Sequence, residues 1–63
     1  MNILSTQEVS DRLGVPAETL RYWRWRGEGP KSFKIGRKVR YDEADLEAWL
    51  LAQRTATGVG GAA

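Results

Sequence analysis

Phe33-Lys34-Ile35-Gly36-Arg37-Lys38-Val39-Arg40-Tyr41 is the stretch that decides the fold. Phe33, Ile35, Val39 and Tyr41 are apolar, Lys34, Lys38 and Arg40 are basic, and Gly36-Arg37 separates the two runs. Strand-like alternation on both sides of a glycine-led turn predicts a β-hairpin. Two registers are open. A two-residue Gly36-Arg37 turn pairs Ile35 with Lys38 on one face. A three-residue loop, Gly36-Arg37-Lys38, pairs Ile35 with Val39 and Phe33 with Tyr41, and sets Lys34 and Arg40 together on the opposite face. A slip of one residue moves every side chain to the other face, so the apolar pairing favours the longer loop.

Before the hairpin the pattern is helical. Ser5-Thr6-Gln7-Glu8 has capping-box spacing, with a hydroxyl at the N-cap and a carboxylate three residues on to satisfy amides left free at a helix start. Val9 and Leu13 follow at i and i+4 and Gly14 is a stop, so the first helix runs from about Thr6 to Leu13. Ile3 or Leu4, ahead of the cap, is placed to staple onto it. Pro16 restarts the chain, because a proline at the first helical turn gives up an amide that is not needed there. The second helix then runs from Pro16 to about Arg26, before Gly27-Glu28-Gly29-Pro30. So short a connection has helix-turn-helix spacing, which an ordinary αα-corner shares.

After the hairpin, Asp42-Glu43-Ala44-Asp45 opens a third helix, with Asp42 as N-cap and acids at the positive end of the dipole. Leu46, Trp49 and Leu50 form its apolar stripe, and it ends near Gln53 or Arg54. From Thr55 to Ala63 the chain is Thr, Gly and Ala with one Val, a composition that buries too little to offset its ordering entropy. The expected division is therefore an ordered domain over 1–54 and a flexible Gly/Ala-rich tail over 55–63.

Composition narrows the chemistry. Sixty-three residues suffice for one domain, and a chain this short buries only about 60% of the surface its unfolded form exposes. There is no cysteine and no histidine, which removes disulfides, thiolate or imidazole metal sites and histidine acid–base chemistry. No nucleophile–base pair stands out, so neither an enzyme nor a cofactor-binding protein is expected. No segment approaches the ~20 apolar residues of a membrane span, and Met1-Asn2-Ile3-Leu4 is too short for a signal peptide's apolar region. The expectation is a soluble cytoplasmic module with no membrane partner.

The net charge of +2 conceals a partition. Between Arg21 and Arg40 lie Arg21, Arg24, Arg26, Lys31, Lys34, Arg37, Lys38 and Arg40 against the single acid Glu28, a balance of +7. The rest of the chain, two bases and seven acids, carries −5. A surface serving only solubility mixes its signs, whereas a one-sign block on a small domain suits a polyanionic partner.

On a helical wheel of about 100° per residue, Pro16, Trp23 and Gly27 flank Leu20 on the inner side of the second helix. Thr19, Arg21, Tyr22, Glu18, Trp25 and Arg26 occupy the outer arc. Such a stripe can read base edges and clamp phosphates: arginine on guanine, glutamate on cytosine, threonine on a thymine methyl or a phosphate. Tyr22 is placed for the DNA backbone. Trp25 has two open readings, DNA contact or burial against the hairpin or the N-terminus. The cationic hairpin tip Gly36-Arg37-Lys38 suits a narrow minor groove, although basic residues also guard sheet edges against aggregation. Trp23 and Trp49 have the spacing of core residues.

Three blocks together carry a family resemblance. Val15-Pro16-Ala17-Glu18-Thr19-Leu20-Arg21-Tyr22-Trp23 resembles the opening of the DNA-reading helix of MerR-like winged-helix proteins. The stretch Phe33 to Tyr41 resembles the wing of their excisionase branch, the recombination directionality factors of phages and mobile elements. Asp45-Leu46-Glu47-Ala48-Trp49-Leu50 resembles that branch's closing helix. The similarity spans Leu4 to Gln53. It implies a mainly α fold with a small β-hairpin, a winged helix-turn-helix of three helices with a two-stranded wing between the second and third.

The resemblance also implies double-stranded DNA as partner, with the second helix in the major groove and the wing in the minor groove. By position, Glu18, Thr19, Arg21, Tyr22 and Arg26 fall on the reading helix and Arg37 and Lys38 on the wing tip. Lys34 and Arg40, on the hairpin strands, complete the expected DNA-binding set. Excisionases bind tandem sites as neighbouring copies, bend attachment-site DNA in the bacterial host and direct an integrase toward excision. MerR-type activators add a long dimerisation helix and an effector domain that these 63 residues do not provide, so no small-molecule ligand is expected. A small transcriptional regulator of phage or mobile-element genes is the alternative, and a protein adaptor with a basic face is a third reading.

Overall fold

Five elements each send one side chain into a single core: Leu4, Val9, Leu20, Tyr41 and Leu46, all at most 2% exposed. The computed structural model describes residues 1–61. Its elements are β1 (Ile3–Ser5), α1 (Thr6–Leu13), α2 (Ala17–Arg26), β2 (Phe33–Ile35), β3 (Lys38–Asp42) and α3 (Glu43–Thr57). Three helices and a small antiparallel sheet make a mainly helical winged helix-turn-helix. Among the described residues, no helix is long and apolar enough to cross a membrane.

The capping box forms as expected: Ser5 Oγ accepts from Glu8 N at 3.0 Å, and Glu8 Oε1 accepts from Ser5 N at 3.0 Å. Leu4 at N′ and Val9 at N4 share the core, the positions of a hydrophobic staple. Gly14, Val15 and Pro16 alone separate α1 from α2. Ser10, the one buried polar residue described, donates its hydroxyl to the Val15 carbonyl across this turn. That bond satisfies a carbonyl that α2 cannot reach and fixes how one helix leaves the other.

The wing is part of a three-stranded sheet of order β1-β3-β2. Ile3-Leu4-Ser5, expected to supply a staple residue and the N-cap, is also a strand, with Leu4 opposite Tyr41 and Ser5 opposite Arg40. Three residues cannot display an alternation, and their partners lie far along the chain. The hairpin register is the two-residue one: Ile35 pairs with Lys38, Lys34 with Val39 and Phe33 with Arg40. The longer Gly36-Arg37-Lys38 loop is thus overturned, and so is the shared face of Lys34 and Arg40. Gly36 takes φ +63° and, among the described residues, no non-glycine residue has a positive φ, the type II′ pattern whose twist suits a hairpin. Apolar matching misled because only one face of β3 meets the helices. Tyr41 and Val39 turn to the core, while Phe33 and Ile35 stay 37% and 56% exposed beside Arg40 and Lys38.

Asp42 caps α3 by accepting from Ala44 N at 3.0 Å. Leu46 is buried and Trp49 half-buried, but Leu50 is 41% exposed, so the expected stripe is narrower than three residues. The helix also continues to Thr57, past the expected end near Gln53 or Arg54. Within the expected tail, 55–57 are therefore helical, and residues 62 and 63 lie outside the described part. Arg12 on α1 and Glu43 at the start of α3 form an ion pair at 2.7 Å.

Candidate nucleic-acid interface

Helix α2 is oriented by what it buries. Leu20 is 1% exposed, and half-buried Trp23 packs on Trp49 with ring centroids 5.8 Å apart. Gly29 lies close against Trp23, where a Cβ would stand 3.0 Å from Cε3. With that face fixed inward, Glu18, Arg21, Tyr22, Trp25 and Arg26 are exposed and Thr19 is half-buried, as the outer arc of the wheel requires. Pro16 and Gly27, expected on the inner side, are exposed as well because they lie at the helix ends.

The outward residues fall into separate groups. Arg21 lines a groove together with Arg24 from the same helix, Arg37 at the turn, and Lys38 and Arg40 on β3. Thr6 and Gln7, at the start of α1, complete its wall. Tyr41 contributes to the floor. Burial raises its phenol above the ordinary range, while Arg24, a hydrogen bond with Thr6 and Arg21 pull it back. A neutral phenol beneath five cations leaves the groove strongly positive. Arg40 is half-buried and spends one donor on the Val39 carbonyl at 2.7 Å. Among the described residues the ion pairs are Arg12 with Glu43 and Arg26 with Glu28, so neither neutralises a groove cation.

A second group forms a ridge on α2. Arg26 Nη1 donates to Tyr22 Oη at 3.3 Å, its guanidinium carbon lies 5.9 Å from the Tyr22 ring centroid, and Glu28 sits 3.6 Å from its Nη2. Trp25 stands beside Tyr22 with centroids 6.2 Å apart and remains 80% exposed. Its burial against the hairpin or N-terminus is therefore overturned. The structure places Glu18, Thr19 and Lys34 outside the groove; Lys34 is exposed, on the strand face shared with Val39.

Arg24 is the cation that sequence reasoning left out. On the wheel it falls on the Leu20 side, yet its long stem carries the guanidinium past the core to the groove. The signal was present in its type, since an arginine at the edge of an apolar face places its head in water. The arrangement can hold a chain of phosphates across the α2–wing groove while α2 presents polar and aromatic groups to base edges. Residues 3–54 match a family described as a helix-turn-helix domain. No curated protein matches the chain.

Proposed function

We propose that this chain, which belongs to the helix-turn-helix domain family and so to a class of DNA-binding domains, is an excisionase-like architectural protein. Residues 1–54 form the DNA-binding unit. In this reading α2 enters the major groove with Glu18, Thr19, Arg21, Tyr22 and Arg26, and the wing reaches the minor groove with Arg37 and Lys38. Arg24 and Arg40 hold backbone phosphates in the groove, and Lys34 adds a peripheral phosphate contact from the outer strand. Copies fill tandem sites cooperatively, bend attachment-site DNA and turn an integrase toward excision; the segment after Arg54 is free to meet that integrase.

The observation that carries the DNA reading is the convergence of Arg21, Arg24, Arg37, Lys38 and Arg40 on one groove. The architectural part rests on the resemblance of the wing and closing helix and on the charge partition. A basic α2–wing side beside acid-rich first and third helices allows neighbouring copies to approach head to tail. Proximity on DNA then adds contacts without a dimer in solution. A single small module buries about 600–1,000 Å² on DNA, at the low end for specific binding, so neighbours supply the missing area.

Footprinting on DNA of the element that encodes the chain tests the reading. Protection of adjacent repeats in an attachment region, with a bend seen in a circular-permutation gel, is the expected result. Isolated protection over a promoter, without cooperativity or bending, selects the small transcriptional regulator instead.

A further inference from the structure

Trp25 is the largest apolar group that the fold leaves in water on α2. Its indole is 80% exposed, whereas the other two tryptophans, Trp23 and Trp49, are half-buried against each other. An indole exposes far more apolar surface than a solvent-facing helix position needs. Its position is informative. Glu18, Arg21, Tyr22 and Trp25 stand at i, i+3, i+4 and i+7 on the outer side of α2, one continuous stripe. Trp25 therefore belongs to the face assigned to the major groove. Its aromatic neighbour is Tyr22, 6.2 Å away, which also meets Arg26 through a 3.3 Å hydrogen bond and a guanidinium over its ring, so one side of the indole is restricted. A side chain restricted on one side before binding loses less freedom on binding than an unrestricted one.

We propose that Trp25 is a specificity-determining residue whose indole packs on the 5-methyl group of a thymine in the major groove. This rests on the DNA reading of α2 given above. Arg21, Arg24 and Arg26 occur on the same helix, so the surface that covers the indole must be polyanionic and still offer an apolar spot. In the major groove of a stacked duplex that spot is the thymine methyl. An indole has one donor and no acceptor, so its discrimination is by apolar contact and shape.

The test is in vitro selection from a random duplex pool with the full chain and with Trp25→Ala, followed by affinity measurements on the selected duplex. Trp25 carries no core contact, and circular dichroism and the thermal midpoint check that the variant folds. The wild-type pool is expected to converge on a site with one fixed thymine that the Trp25→Ala pool does not retain. Trp25→Ala is expected to bind the wild-type site roughly tenfold more weakly. Replacing that thymine by deoxyuridine, which lacks only the methyl group, should weaken the wild-type chain about fourfold. The same replacement should leave Trp25→Ala unaffected, while Trp25→Phe keeps part of the preference.

If Trp25→Ala selects the same sites with unchanged affinity while Arg21→Ala loses binding, this inference fails and the DNA reading stands; the indole then faces another partner, such as a protein. If the wild-type chain enriches no sequence and shows no salt-dependent DNA affinity, the DNA reading fails and this inference with it.

Discussion

The indole rings of Trp23 on α2 and Trp49 on α3 sit with centroids 5.8 Å apart and planes inclined at 44°. The closing helix thereby braces the helix that carries the candidate reading face. Removing Trp49 leaves a void under α2, and tryptophan-to-alanine changes in cores cost about 3–5 kcal/mol. Trp49 is only half-buried, so Trp49→Ala is expected to cost about 2–3 kcal/mol, a large share of a small domain's stability. A urea titration should show the midpoint falling accordingly, with Trp49→Phe intermediate. An unchanged midpoint would mean that packing on α1, not α3, holds α2.

Gly29 and Gly36 make a matched pair for a second measurement. Both have positive φ, +77° and +63°. A Cβ at Gly36 meets open space, whereas one at Gly29 meets Trp23 Cε3 at 3.0 Å and Cβ at 3.1 Å. Gly36→Ala should cost only the positive-φ backbone strain, about 1–3 kcal/mol. Gly29→Ala should cost more, and its thermal midpoint should fall several degrees below that of Gly36→Ala, about 4–8 °C for each further kcal/mol. Equal midpoints would show that the loop shifts away from Trp23 without penalty.

Acid should weaken the fold through two carboxylates. Hydrogen bonds from the Ser5 backbone and side chain hold Glu8 below its ordinary value of 4.5, with Arg12 and Arg40 assisting. Asn2 and Arg12 do the same for Glu43. A carboxylate whose folded pKa is depressed adds stability that is complete above its unfolded value and disappears as pH falls through the folded value. Thermal midpoints should therefore be level down to about pH 5 and decline below it. Glu8→Gln, which cannot titrate, should flatten part of that decline; an identical acid limb in the variant would remove Glu8 from the account.

DNA affinity should fall steeply with salt. With Arg24, Arg37, Lys38 and Arg40 on phosphates and Arg21 on a base, the log–log slope is about −3 to −4. Replacing both Arg37 and Lys38 by alanine should reduce the slope by about 2 if both meet phosphates. A slope that the double variant leaves untouched would detach the wing from the interface.

Arg24 and Lys34 separate the structural view of the groove from the sequence view. Arg24 lines the groove and Lys34 does not. Arg24→Ala should therefore weaken binding to all duplexes by roughly tenfold, a loss of about 1.4 kcal/mol, whereas Lys34→Ala should change it less. The reverse order in a gel-shift titration would place the phosphate track on the outer strand. Arg21→Ala should additionally relax sequence preference at one base pair, at about 1–3 kcal/mol.

Much of this protein is written in local chemistry. The capping box at Ser5 and Glu8, the stop at Gly14, the acids after Asp42 and the alternation around Gly36 act within a few residues of one another, so α1, α2, α3 and the hairpin are legible from the chain alone. The +7 block and the outer stripe of α2 are legible for the same reason, because charge and helical period are properties of sequence. The tertiary structure decided whatever depends on a distant partner. Ile3–Ser5 is a strand only because β3 lies beside it. The hairpin register followed the turn at Gly36 once the helices covered one face of β3, leaving Phe33 and Ile35 outside. Arg24 joined the groove, and Lys34 left it, because the direction in which a long side chain escapes the core is set by packing between elements. Trp25 stayed in water for the complementary reason: among the described residues, no other element reaches across to cover it.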